Sequence, residues 1–174
     1  MQLFSKDLNH DTITPLLDQI ARDYARLTGK GGMRGILLVD QDAKVIAKNS
    51  MFQFKRPWDM GAIGAALYGV AGQSQRYFNC SSMERVSIIF GDMQLFIHNI
   101  GKVEMEDEDN ETKRDLLLVI LADKSVKVGL VIVQMKRFAQ AIVDAIKESQ
   151  TTMDMLHLSE RQIKEYLMGL KTGA

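Results

Sequence analysis

Gly61–Gln73 reads GAIGAALYGVAGQ, with four glycines and four alanines in thirteen residues, and three structures suit a stretch so poor in side chain. It is a phosphate-cradling loop, a membrane segment, or a helix with one face pared down for close packing. Gly64–Gly69 has the GxxxxG skeleton of a Walker A loop, but Val70 and Ala71 stand where Lys and Ser/Thr must hold phosphate and magnesium. A membrane span needs roughly 18 or more apolar residues, and Gln73, Gln75 and Arg76 interrupt this one. The helix remains. Pro57 suits its first turn and Asp59 its positive dipole end, and it is expected to run to about Phe78.

Projected as a helix, Met60, Ile63, Leu67, Val70 and Ser74 form one stripe, large enough to pack on a sheet. Gly61, Ala65, Gly69 and Gly72 form another, nearly opposite and almost bare. Glycine inside a helix costs roughly 1 kcal/mol relative to alanine, so a bare stripe implies a backbone that must be approached closely. Either another helix of the same chain covers it, or a second copy or related partner does. The expected sheet order puts the other two long helices on the opposite face, which favours the partner.

Upstream, TPLLDQIARDYARLTGKGG places Leu17, Ile20, Tyr24 and Leu27 at spacings of three and four after a possible Thr14 cap, and its glycines stop the helix. GKGGMRG (Gly29–Gly35) precedes a strand, whereas a dinucleotide loop follows one. Gly35–Val39 and Lys44–Ala47 read as a hairpin around Asp40-Gln41-Asp42, its first strand apolar on both faces and so expected inside a covered sheet. Downstream, Val86–Phe90 and Met93–Ile100 form a hairpin across Gly91-Asp92, and Leu116–Leu121 is a fifth strand. A helix carrying Val128, Val131, Met135, Phe138, Ile142 and Ile146 comes next, capped by Asp123 or Ser125. Ser159 and Gln162 match the capping box of a short terminal helix lined by Ile163, Tyr166, Leu167 and Leu170.

Composition bounds the function. The 22 basic and 22 acidic residues balance, so no electrostatic footprint points to nucleic acid or anionic lipid. MQLFSKDLNHD has neither an apolar core nor a basic start, so secretion is not signalled and a cytoplasmic location is expected. Cys80 is the single cysteine and reads as a small core residue.

Catalytic and metal chemistry leave little trace. The acidic run EMEDEDNE (Glu104–Glu111) has Thr112 where a calcium loop needs glycine and Leu118 where it needs glutamate, so it reads as a solvated hairpin loop. His10, His98 and His157 share no ligand spacing. Ser81 and Ser82 lie in no nucleophile elbow, and Asp40 with Asp42 reads as a solvated turn pair. No catalytic residue, metal ligand or cofactor is expected, so the chain reads as no enzyme.

The helix LLDQIARDYARL, the hairpin GILLVDQDAKVIA, the small-residue helix, MERVSIIFGDMQLFIHNIG and LLLVILADKSVKVGLVIVQMKRFAQAI together cover about Thr14 to Ile146. In that order they resemble the Roadblock dynein-light-chain family and its prokaryotic MglB-like members. The acidic loop is longer than that pattern, and the tail from Gln150 to Ala174 lies outside it. The resemblance implies an α/β (α+β) fold of three layers, α/β/α. A five-stranded antiparallel sheet carries two helices on one face and the central helix on the other. Residues 1–149 would form the domain and residues 150–174 a C-terminal helical extension.

The resemblance also implies dimerisation through the central helix and the strand after it, joining two sheets into one of ten strands. Mapped here, the dimer surface is Gly61, Ala65, Gly69 and Gly72 with Val86, Ser87, Ile88 and Ile89. Family dimers act as platforms for Ras-like small GTPases. The expected function is therefore a non-enzymatic homodimeric scaffold, or one paired with a related Roadblock chain, that binds such a GTPase and modulates its hydrolysis. No arginine has a finger-like context, although Arg34, Arg56 and Arg76 each stand as weak candidates. The alternative is a small-molecule sensor with a profilin-like or GAF-like fold and a pocket beneath the central helix.

Overall fold

The computed structural model describes residues 12–107 and 110–149, with side chains described outside 105–112. In chain order the elements are α1 (Ile13–Thr28), β1 (Met33–Asp40), β2 (Val45–Lys48), α2 (Pro57–Gln73), α3 (Gln75–Phe78), β3 (Arg85–Phe90), β4 (Met93–Asp107), β5 (Asn110–Asp123) and α4 (Val128–Glu148). The terminal helix expected at Ser159–Leu170 lies outside the described residues.

The five strands form one antiparallel sheet in the order β2-β1-β5-β4-β3. β1 and β5 lie inside it and are apolar on both faces because both faces are covered. Ile36, Leu38, Leu118 and Ile120 pack toward α1 and α4, and Leu37, Val39, Leu117 and Val119 toward α2. The arrangement is thus three layers, with two helices on one face and the central helix on the other.

α1 buries Ile13, Leu17, Ile20 and Tyr24 and stops at Gly29, whose φ of 67° is the left-handed conformation that favours glycine. Leu27, expected on the buried face, is exposed in the last turn. Asp23 is buried between α1 and α4. Gln19 donates to it at 2.6 Å, and Arg26 and Arg137 lie 3.4 and 3.3 Å away. The start of α4 has no side-chain cap. Instead the Tyr24 hydroxyl accepts the Lys127 N–H at 2.9 Å, and Gln94 Nε2 donates to the carbonyls of Asp123, Lys124 and Val126 in the approach. Tyr24, distant in sequence, thus takes up a main-chain N–H where Asp123 or Ser125 was expected to act, and Gln94 fixes the approaching turn through its carbonyls.

Two boundaries differ from expectation. The helix read as continuous to Phe78 breaks at Ser74, whose N–H and hydroxyl turn back to Ala71. The segment Glu104–Glu111, expected as the solvated loop of a hairpin, is largely paired strand: β4 and β5 pair from Met93↔Asp123 to Asp107↔Asn110. Cross-strand charge pairs support it, with Lys113–Glu104 at 2.8 Å and Lys102–Asp115 at 3.5 Å, while Val103 between them is fully buried.

Candidate protein interface

α2 lies on the sheet through its small residues, not its large ones. Gly61, Gly64 and Ala65 are buried. A Cβ at Gly64 would stand 2.7 Å from Cγ2 of Val119, and one at Gly61 would stand 3.1 Å from Val39 Cγ1 and Val45 Cγ2. This corrects the outward assignment of Gly61 and Ala65. The branched side chains of β1, β2 and β5 already fill the layer beneath the helix, so its backbone comes down on them only where side chain is missing. The space at these turns holds no room for a ligand. Gly69 has no atom near its Cβ position and Gly72 has only Met83 Cε at 3.8 Å, so these two do lie away from the sheet.

The large stripe is split accordingly. Met60 and Leu67 pack partly against the sheet at the flanks, while Ile63 is 54% and Val70 68% exposed on the outer face. With Ala62, Ala66 and Gly69, also exposed, they make a flat apolar strip along the helix. Just beyond the Ser74 break, Tyr77 is 88% and Phe78 74% exposed. Sequence periodicity missed this pair because it falls past the end of α2; two aromatics on a single polar turn were the available signal.

β3 is an edge strand, hydrogen-bonded on one side to β4. Val86 and Ile88 alternate inward and pack on the α2 side of the sheet, whereas Ser87 and Ile89 are exposed. Phe90 is exposed as well. Of the expected dimer residues, Gly69, Gly72, Ser87 and Ile89 therefore lie away from the core, Val86 and Ile88 are half-buried, and Gly61 and Ala65 are core. An edge strand presents unpaired main-chain groups, and apolar residues on it mark an adhesive edge.

A polar tie fixes α2 beside this edge. Tyr68 Oη donates to the Met83 carbonyl at 2.9 Å and accepts from Asn99 Nδ2 at 2.9 Å, linking the helix to the approach of β3 and to β4. Burial raises the Tyr68 phenol above its ordinary pKa, the Asn99 bond opposing this.

The remaining chemistry-bearing groups are held in structure. Arg34 Nε binds Asp123 at 2.7 Å and Arg56 Nε binds Asp59 at 2.8 Å, so both are engaged locally. Arg76 lies exposed on α3. Asp40 is fully buried, which corrects its reading as a solvated turn residue. It accepts the Asp42 and Lys44 N–H groups at 3.0 and 2.8 Å, with Lys44 Nζ at 3.9 Å and Arg114 at 3.4 Å, and Arg114 also meets Asp42. Burial pushes the Asp40 carboxyl up and the Lys44 ammonium down, each opposed by the other. Cys80, expected in the core, is exposed because the chain after α3 runs over the surface. Among the described residues no cluster of His, Cys, Asp and Glu could hold a metal ion, and no helix is long and apolar enough to cross a membrane. His10 and His157 lie outside the described residues; His98 is buried within β4.

No family model matches the chain, and no curated protein matches it in sequence. Solved structures do. Myxococcus xanthus MglB, 13% identical, aligns over 81% of this chain and 99% of its own with a TM-score of 0.60. A Roadblock/LC7 domain from Streptomyces avermitilis, 14% identical, aligns over 75% and 98% with a TM-score of 0.59. The gliding protein MglB of Thermus thermophilus, 17% identical, aligns over 78% and 92% with a TM-score of 0.57. TM-scores of 0.57 to 0.60 over 92% to 99% of those domains establish, at such low identity, that this chain has the Roadblock fold found in MglB.

Proposed function

We propose that the chain is a non-enzymatic subunit that self-associates through the outer face of α2 and the free edge of β3, and that the joined surface binds a Ras-like small GTPase. The observation that carries the first half is the apolar strip of Ile63 and Val70 beside an unpaired edge strand with Ile89 and Phe90 exposed. A two-fold axis that pairs β3 with β3 would extend the sheet and bring the two α2 helices together, the self-complementary arrangement a symmetric dimer requires. A solved MglB described as having a tetrameric arrangement, 18% identical with a TM-score of 0.58, is compatible with self-association on this fold. The GTPase half rests on the family resemblance. Such a subunit would act on hydrolysis by ordering the GTPase's own switch residues, since Arg34 and Arg56 are already paired and Arg76, exposed on α3, has no finger-like setting.

Light scattering tests the assembly. Wild type is expected at twice the single-chain mass, and the double variant Ile63→Asp with Val70→Asp at the single-chain mass with its circular dichroism unchanged. A wild-type monomer at high micromolar concentration contradicts the proposal. For the second half, immobilised protein is offered small GTPases loaded with GDP or a GTP analogue. Retention that depends on the nucleotide supports a platform; its absence across the panel counts against one.

A further inference from the structure

We infer that His98 couples the seating of β3, and with it the proposed self-association, to pH: the neutral imidazole holds the edge strand and the imidazolium releases it. The dimer part rests on the function proposed for the chain; the strand part does not.

His98 lies in β4 directly opposite Arg85, the first residue of β3, and is only 4% exposed. Its other strand neighbour, Leu118 of β5, is apolar. Imidazole Nδ1 is buried and has no hydrogen-bond partner, and the Glu84 main chain, whose carbonyl accepts the Asn99 N–H at 3.0 Å, lies close enough to the ring to favour its charged form. The charged groups facing the ring are Arg85 and Glu84 at the start of β3 and Lys136 from α4, and the Glu84 carboxylate is held by Lys136 at 3.5 Å.

A proton on this ring would therefore place a third cation among two others, out of water, and turn Nδ1 into a buried donor without an acceptor. Burial, then Lys136 and Arg85, hold the imidazole below its ordinary pKa, with Glu84 opposing. The sign is fixed by this direction. Above about pH 6.5, the ordinary value, the ring is neutral whether or not the strand is seated, and nothing is lost. As pH falls below that value, the released strand binds a proton that the seated strand refuses, and release is favoured. Arg85 flanks the ring from β3 and Lys136 reaches it from α4, so parting the start of β3 from β4 opens one flank of the ring to water and takes Arg85 away from it. That movement removes the edge on which the proposed dimer is built.

Near pH 5.5, about one unit below the ordinary imidazole pKa, a ring held below that value while seated favours release by up to about tenfold per chain, and by up to about 100-fold where both chains of a dimer release. The experiment follows the full chain between about pH 7.5 and pH 5.5 by sedimentation and by hydrogen exchange of the β3 amides, corrected for intrinsic rates. Wild type should lose β3 protection by up to about tenfold and shift from dimer to monomer. His98→Gln, which does not titrate, should hold both readouts flat; Lys136→Gln, which keeps the imidazole and removes a cation, should shrink the response. Unchanged β3 protection in wild type overturns the inference, as does a pH response of full size in both variants. If wild type is monomeric throughout, the dimer reading fails by itself and β3 protection alone decides the role of His98.

Discussion

Replacing Gly64 by alanine tests the orientation of α2 directly. In an unobstructed helix the change stabilises by roughly 1 kcal/mol, because alanine loses less backbone entropy. Here the new methyl would stand 2.7 Å from Cγ2 and 3.2 Å from Cγ1 of Val119, about 1 Å inside a comfortable carbon–carbon separation of ~3.5–4.0 Å. Both methyls of that valine face the helix, so turning χ1 exchanges one clash for another, and Val119 is fully buried in an interior strand. The helix must lift, which also loosens Gly61 from Val39 and Val45. Overpacking of this kind costs about 1–3 kcal/mol; taking the upper end against the propensity gain leaves about 2 kcal/mol of destabilisation, or a fall of about 4–8 °C in Tm for a chain of this size. Gly129, in the first turn of α4 with open space at its Cβ position, is the matched control. Gly129→Ala should raise Tm by about 2–4 °C. Thermal denaturation of the three proteins at one concentration reads both signs. A Tm for Gly64→Ala at or above that of wild type would show that the helix does not rest on Val119 through its glycines.

Arg114→Met removes a cation from the buried Asp40 and should destabilise by about 3 kcal/mol at neutral pH. Because burial already raises the Asp40 pKa, the loss should shrink as pH is lowered and the carboxyl protonates, which urea titrations at several pH values would resolve. Tyr68→Phe deletes the bonds to Met83 and Asn99 and should cost about 1–2 kcal/mol, with hydrogen exchange quickening at the start of β3 before elsewhere. Gly69→Leu meets open space in the single chain; it should leave a monomer's stability within about 1 kcal/mol of wild type while abolishing a dimer that uses this face, as light scattering would report.

The layers were legible because burial on two faces leaves a plain mark. Ile36-Leu37-Leu38-Val39 is a continuous apolar run, and the structure covers it from both sides. The spacing of Leu17, Ile20 and Tyr24 likewise gave the buried stripe of α1. The direction in which α2 faces was not legible. Missing side chain at Gly61, Gly64 and Ala65 says that something comes close, and a sequence carries no sign of whether that neighbour is the chain's own sheet or another molecule. Only the branched residues beneath, brought from three different strands, decide it. How far the strands run into Glu104–Glu111 was not legible for a different reason. The run is almost wholly acidic and polar, and the cross-strand pair of Glu104 with Lys113 that carries the ladder outward joins residues on two strands; the buried Val103 just before it was the available signal. Asp40 bonds its own turn through the Asp42 and Lys44 N–H groups, but its burial under Arg114, 74 residues away, lies beyond the reach of any local pattern, as does the burial of His98.

The register between β4 and β5 shifts at Gly101, where φ is 144°. An irregularity of this kind bends a strand locally and sharpens its twist, yet the hairpin stays anchored to the core beyond it: Val103 is fully buried, and the Cβ position of Gly101 lies 3.3 Å from Val143 of α4. From Val103 to Asp107 the strand runs on for roughly 13 Å at ~3.3 Å per residue, farther than the ~8 Å over which ionic screening acts in a cell. A charge at the end of the hairpin is therefore shielded from the balanced charges of the core, and a macromolecule approaching that end would meet the hairpin's own field before the domain's.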